Sequence, residues 1–436
     1  MKKSNLFLVV FLVISIVIGW GVQVSGIIRT ASQINQYLEQ AAVYEKEGLY
    51  QKAIESLESA LSLDEKEEIR LQWLDTYERA YKDEVIAAKK YAEAISKMCE
   101  LNEGNPVYWE KLLQLYSDRN DLKNVYETYQ KVQKEGITSE LIVELGDKAQ
   151  YAVRETKKAY LEVKQSISGY FTVKDNDGWG VINPKGDTTI DCKYEYIGPY
   201  NKNNVSLRKG EKGSRLVTSK NVVEAIIEID YIQAGAYADG MLPLCIEEGT
   251  WQYYDCKQGK LVLDTYEMVS NFSQGVAAVC KDGKWKLINS NGENIGSSFD
   301  DIKLHSDGSY VNDGIMIAAV NGNYDIYNAK GEKLSALACA DMDVFMGDAI
   351  AYKDASGKWG YVNKNGEIVI KPQFDQAKSF SGGLGAVCKE NLWGFAKKNG
   401  KIVIECQYID GGYFNKNGIC FVSIYEGNYH KIQLRY

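Results

Sequence analysis

The sequence predicts a multidomain chain in three parts: a transmembrane helix, an all-α solenoid, and an all-β array of about seven three-stranded antiparallel units arranged like a propeller. Three observations predict it. An uncharged run fills residues 6–28, apolar residues then recur at helical spacing to about residue 166, and from residue 168 one phrase returns every 34–39 residues. Its clearest copies are GKWGYVNKNGEIVIKPQFDQAKSFSGG, starting at Gly357, and LWGFAKKNGKIVIECQYIDGGYFNKNG, starting at Leu392. A β-solenoid is the alternative way to stack the same units.

The first part rests on length and flanking charge. At about 1.5 Å per residue, residues 6–28 reach about 34 Å as a helix, against a hydrocarbon core of about 30 Å. Lys2 and Lys3 precede the run, so the positive-inside rule keeps a cytoplasmic tip (1–5) inside and sends the body across the membrane. Trp20 stands where an interfacial aromatic anchors a span. A cleaved signal peptide, with Val24-Ser25-Gly26 near the cut, is the alternative and gives a secreted protein.

The second part, residues 32–166, follows the helical period. Ala41, Tyr44, Gly48, Tyr50, Ala53 and Ala60 fit a helix, tight turn, helix unit: the alanines allow close approach, Gly48 supplies the turn and the tyrosines fill the flanks. A second unit runs through Trp73, Tyr77, Ala94 and Met98 to Asn105-Pro106, and a third through Trp109, Leu112, Tyr116, Val125 and Val132. Residues 139–163 read as a capping or connecting helix. These residues resemble the tetratricopeptide repeat, with a period of about 34 residues. The second unit lacks the turn glycine, and the third has Val125 and Val132 where alanines are usual. The resemblance implies a concave surface for a protein partner; a spacer stalk is the alternative.

The third part, residues 168–436, is marked at Trp179, Arg215, Trp251, Trp285, Tyr324, Trp359, Trp393 and Tyr429. In the unit around Trp359, strands are expected at 349–353, 358–363 and 367–371, with Asn365-Gly366 as a two-residue primed turn. Glycine recurs seven residues past the marks, at Gly186, Gly292, Gly331, Gly366 and Gly400. Tryptophan followed by glycine lets the indole pack on a neighbouring unit while the missing side chain admits another backbone. The pairs Trp179-Gly180, Trp359-Gly360 and Trp393-Gly394, with the NxxG or KNG turns and FSxG loops, resemble the WG-containing repeat of bacterial proteins. That resemblance implies a module for binding or surface display and brings no catalytic residues with it. Units 2 and 5 are placed by spacing alone.

Composition narrows the function. The 51 basic and 59 acidic residues leave a formal charge of −8, which repels phosphate backbones and argues against a nucleic-acid partner. Nine cysteines form no metal spacing, and their recurrence at fixed repeat positions reads as small buried hydrophobes. With only His305 and His430, and no phosphate-loop, nucleophile-elbow or dinucleotide motif, neither catalytic nor metal residues nor a cofactor are expected. Asp300, Asp301 and Asp375 are the carboxylates a propeller hydrolase would use, but Asp300 and Asp375 directly follow repeat phenylalanines, as turn chemistry places them. The expected function is a non-catalytic, membrane-anchored extracytoplasmic scaffold that engages protein. Alternatives are envelope glycan binding through Tyr200, Tyr237 or Tyr413, and the hydrolase.

Overall fold

The computed structural model describes residues 26–200 and 205–436, which form two compact units meeting at Gln150 and Tyr151. The expected membrane span lies outside the described residues except for positions 26–28, which open the first helix. Among the described residues no helix is long and apolar enough to cross a membrane.

The first unit holds seven helices among the described residues: α1 (residues 26–46), α2 (Tyr50–Leu63), α3 (Glu67–Lys82), α4 (Ala88–Leu101), α5 (Pro106–Asp118), α6 (Leu122–Lys134) and α7 (Glu140–Gln150). The expected turn after α1 is present, with Gly48 at φ +73°, and Ala41, Ala53 and Ala60 are fully buried. Pro106 opens α5, where its missing N–H costs nothing, and the Asn105 side chain caps the helix through the Val107 amide. One apolar core running from Ile34 to Ala149 joins the helices.

The expected helix over 139–163 is corrected. α7 stops at Gln150, and Val153–Tyr160 is a strand. Its partner is the C-terminal strand Asn428–Leu434, in the register Val153 to Leu434 and Tyr160 to Tyr429. The domain boundary therefore falls at 150 rather than 166.

The second unit is a closed β-propeller with eight blades among the described residues. Blades 1–7 span residues 162–194, 196–227, 233–266, 268–299, 301–328, 341–374 and 376–408; blade 8 combines 410–434 with Val153–Tyr160. The solenoid alternative and the count of seven both fall to this closure. The C-terminal strands Ile419–Tyr425 and Asn428–Leu434 receive their outer partner, Val153–Tyr160, from the other end of the propeller. Each blade also has an innermost strand ahead of the expected three, only two residues long in blades 2–8 and too short to leave an alternation pattern. Blade 5 lacks a regular outer strand and substitutes the bridges Tyr327–Lys333 and Tyr324–Cys339.

Eight apolar clusters fill the propeller, one per seam. Tyr160, Phe171 and Phe421 close the ring between blades 8 and 1. Matching aromatic pairs recur between blades: Tyr253 with Phe272, Tyr361 with Phe380 and Phe395 with Phe414, at 4.6–4.8 Å and near-perpendicular. Such edge-to-face pairs add about 0.5–1.5 kcal/mol each beyond their buried area. The Asn365-Gly366 turn is also corrected: only Gly366 has positive φ, and Asn363 Oδ1 accepts from the amides of Asn365 and Glu367. A type I turn followed by a left-handed glycine replaces the primed turn.

Candidate functional site

The tryptophan marks occupy equivalent places. Trp179, Trp251, Trp285, Trp359 and Trp393 are each the first or second residue of a blade's third strand and pair with Tyr194, Tyr266, Phe299, Phe374 and Tyr408 of the outer strand. Trp179, Trp285 and Trp393 are buried, and Trp251 and Trp359 half-buried. In all five blades the outer strand then gains two residues on the third, a bulge that bends it over the position following tryptophan.

That bulge explains the glycine. A Cβ on Gly180, Gly360 or Gly394 would sit 2.5–2.6 Å from the carbonyl oxygen of Ile190, Ile370 or Ile404. Blade 2 is different. Lys209 faces Ser214 and Tyr196 faces Lys209, the same ladder that leads to tryptophan elsewhere, so the mark is Ser214 and not Arg215. Arg215 occupies the glycine position, and the outer strand runs past Ser214, Arg215 and Leu216 without a bulge.

On the side of the ring where the tryptophans begin their strands, the inner strands of blades 5–8 border a cavity of about 450 Å³. Trp359 and Trp393 line it together with Lys303, His305, Asp341, Asp343, Lys378 and Tyr413. Charges here are matched between blades: Lys303 to Asp341 at 3.0 Å and Lys378 to Asp410 at 2.9 Å. The Tyr413 hydroxyl donates to both oxygens of Asp343, which also accepts from the Ser379 amide. Lys378 lies 5.1 Å over the Trp393 ring, and Lys303 4.5 Å over Tyr324. Burial opposes the charge on Lys303, yet the hydrogen bond and charge of Asp341 hold its pKa above the ordinary value. Burial pushes the Tyr413 phenol well up, helped by Asp343.

The axis is bridged. Ser306 Oγ donates to the Gln165 carbonyl at 2.6 Å, and the Ile167 amide donates to Asp307 Oδ2 at 3.0 Å, joining blade 5 to blade 1 on the opposite side of an eight-membered ring. His305 lies four residues after the start of its inner strand, the sequence offset of Phe272, Phe345, Phe380 and Phe414 in blades 4, 6, 7 and 8, but it opens an extra turn of blade 5, and Tyr310 and Val311 fill the seam core there. His305 is buried, its Nδ1 has no hydrogen-bond partner, and burial lowers its pKa against the pull of Asp307 and Asp343.

The three suspected carboxylates are engaged in the blades. Asp300 takes Lys284 Nζ at 2.6 Å and the Gly322 amide, and Asp375 takes Lys358 Nζ at 2.6 Å and the Glu390 amide. The lysine hydrogen bond lowers each carboxyl's pKa. Asp301 accepts from the Tyr324 hydroxyl at 2.6 Å. The tyrosines suggested for glycan are not exposed platforms: Tyr200 is buried, Tyr237 and Tyr413 partly so. Of the residues that border the cavity, Lys303, Asp341, Asp343 and Lys378 went unnoticed in the sequence because they lie in or beside the two-residue inner strands. The signal available was the short polar stretch after each repeat aromatic, as in Phe374-Asp375-Gln376-Ala377-Lys378. The cysteines are free, mostly buried, and have raised pKa values where burial dominates, as at Cys280, Cys388 and Cys420.

The WG containing repeat family matches residues 179–212, 257–285, 359–393 and 393–429. Three of these four stretches begin on a tryptophan mark, so the matched repeat is offset from the structural blade by two strands. No curated protein matches the chain. Among solved structures, BamB from Moraxella catarrhalis is similar at 13% identity, covering 65% of this chain and 99% of that chain, with a TM-score of 0.43. A likeness that low carries no argument about function.

Proposed function

We propose that the chain is a non-catalytic scaffold for protein partners, held at a membrane by residues 6–28 with its body on the extracytoplasmic side. The observation that carries the scaffold reading is the division of labour within the WG repeats. Their repeated residues are used up in seams and turns, while the residues that vary between blades, Lys303, Asp343, Lys378 and Tyr413, gather around one recessed mouth. One half-buried indole, Trp359, beside buried Trp393 and matched charges suits a protein surface that brings both apolar and ionic side chains. The helical unit, which resembles tetratricopeptide repeats, supplies a second surface for protein. The membrane reading rests on the uncharged N-terminal run alone.

A photo-crosslinker at Gln376, exposed at the mouth, tests the scaffold. In intact cells it should trap one discrete polypeptide that the same group at exposed Lys371, on the outer strand, does not. Equal labelling from both positions removes the reading. Protease added to intact cells should degrade the body if it is outside, and leave it whole if the orientation is wrong.

A further inference from the structure

Arg208 breaks the repeat. Its place on the second strand, opposite the residue after the mark, is apolar in the seven other blades: Val173, Leu244, Val279, Ala318, Tyr352, Val387 and Val422. Arg208 is buried, at 5% exposure. Its partners are neutral: Ser206 Oγ at 3.3 Å, Asn221 Oδ1 at 2.9 Å and the Thr218 carbonyl at 3.3 Å. Among the described residues no carboxylate pairs with it. Three oxygens fix the plane of the fork but leave its positive charge uncompensated, and a buried charge without a counter-charge is costly.

The missing bulge of blade 2 opens space beside it. Because Arg215 fills the glycine position and the outer strand pairs without a bulge from Ser214 to Leu216, a pocket of about 700 Å³ remains where blade 1 meets blade 2. Arg208, Arg215, Lys193 and Lys212 line it, with Tyr194 as a wall and Glu211 as the one acid. Lys193 and Arg208 each stand 6.0 Å from the centre of the Tyr194 ring. Four cations on one pocket of a chain with net charge −8 form a local field opposite in sign to the whole.

We propose that this seam pocket binds a phosphate group, with Arg208 as the preorganised counter-charge and Arg215, Lys193 and Lys212 closing around it. The planar fork of arginine matches the oxygen spacing of phosphate, and a fork already held by neutral oxygens loses little freedom on binding. The group could belong to a soluble phosphate monoester or a lipid headgroup, and the two are separable by experiment.

The test is isothermal titration of the purified protein with inorganic phosphate at low ionic strength, against chloride of equal ionic strength. Wild type should bind phosphate, and Arg208→Val, which restores the repeat residue, should lose at least tenfold in affinity. In phosphate-free buffer that variant should unfold at the same or a higher urea concentration than wild type, since a structural arginine would lower it. Lys212→Gln, at an exposed position, should weaken binding several-fold without moving the unfolding midpoint. Glycerol 3-phosphate and phosphatidylcholine vesicles containing phosphatidic acid then separate the sources: Arg208-dependent binding to either supports the site. Overturning results are a wild type that does not distinguish phosphate from chloride and binds neither of those probes, or binding that survives both substitutions.

Discussion

Blades 6 and 7 and blades 3 and 4 solve one steric problem in two ways. All four carry the two-residue bulge beside tryptophan. Blades 6 and 7 make room by omitting a side chain at Gly360 and Gly394. Blades 3 and 4 keep one there, Gln252 and Lys286, and turn the outer strand instead: Leu263 and Gly296 adopt φ +63° and +76° at matching positions in the bulge. The conserved requirement is thus the bend of the outer strand, and the tryptophan-glycine pair is one of two chemical routes to it. Blade 2, with Arg215 in the glycine position and no left-handed residue in its outer strand, has neither route and keeps a regular register past Arg215, with a one-residue shift only between Leu216 and Val217.

The largest effect that probes this difference is expected at Gly360→Ala and Gly394→Ala. Each adds a methyl 2.5 Å from a backbone carbonyl, so a loss of about 2–3 kcal/mol is expected in urea unfolding. A neutral result breaks the comparison at once. Gly296→Ala comes next: its added methyl has room, with the nearest atom at 3.5 Å, but alanine at φ +76° should cost about 1–2 kcal/mol. If the alanine variants at 296 and 360 cost the same, clash and backbone strain have not been separated.

Blade 5 sharpens the contrast from another side, since it lacks a regular outer strand and buries His305 in an extra turn after its inner strand. With its folded pKa lowered by burial, His305 takes up a proton less readily than in the unfolded chain, which does so below about pH 6.5. Stability is therefore complete above that value and falls as pH falls. The urea midpoint should fall as pH drops from 7.0 to 5.5, and His305→Phe should make that slope shallower. The smallest effect is expected at Gln252→Ala. The Gln252 amide donates to the carbonyl of left-handed Leu263 at 3.0 Å, so its loss should cost about 0.5–1 kcal/mol by the same measurement.

Much of the propeller was legible because its units repeat. The sequence located the third strands, the recurring turn glycines and the aromatic seams, and read Asp300 and Asp375 as turn residues. It misplaced one mark by a single residue, at Arg215, because spacing alone cannot tell which of two neighbours faces a seam. It missed the inner strands because two residues carry no period, and with them most of the cavity-bordering residues. Arg208 was invisible as a site: in sequence it is one basic residue among 51, and only its burial without a counter-charge distinguishes it.

Local chemistry by itself determined that helices come first and β-units follow, and that each unit turns where asparagine and glycine permit and buries aromatics against its successor. Only the tertiary structure decided the number of blades, the join of Val153–Tyr160 to Asn428–Leu434, and the gathering of blades 5–8 around one mouth. The physical reason is range: turns and alternation are written within a few residues, whereas ring closure pairs strands more than 260 positions apart. Its register is set by the curvature that eight packed seams accumulate, which no single repeat contains.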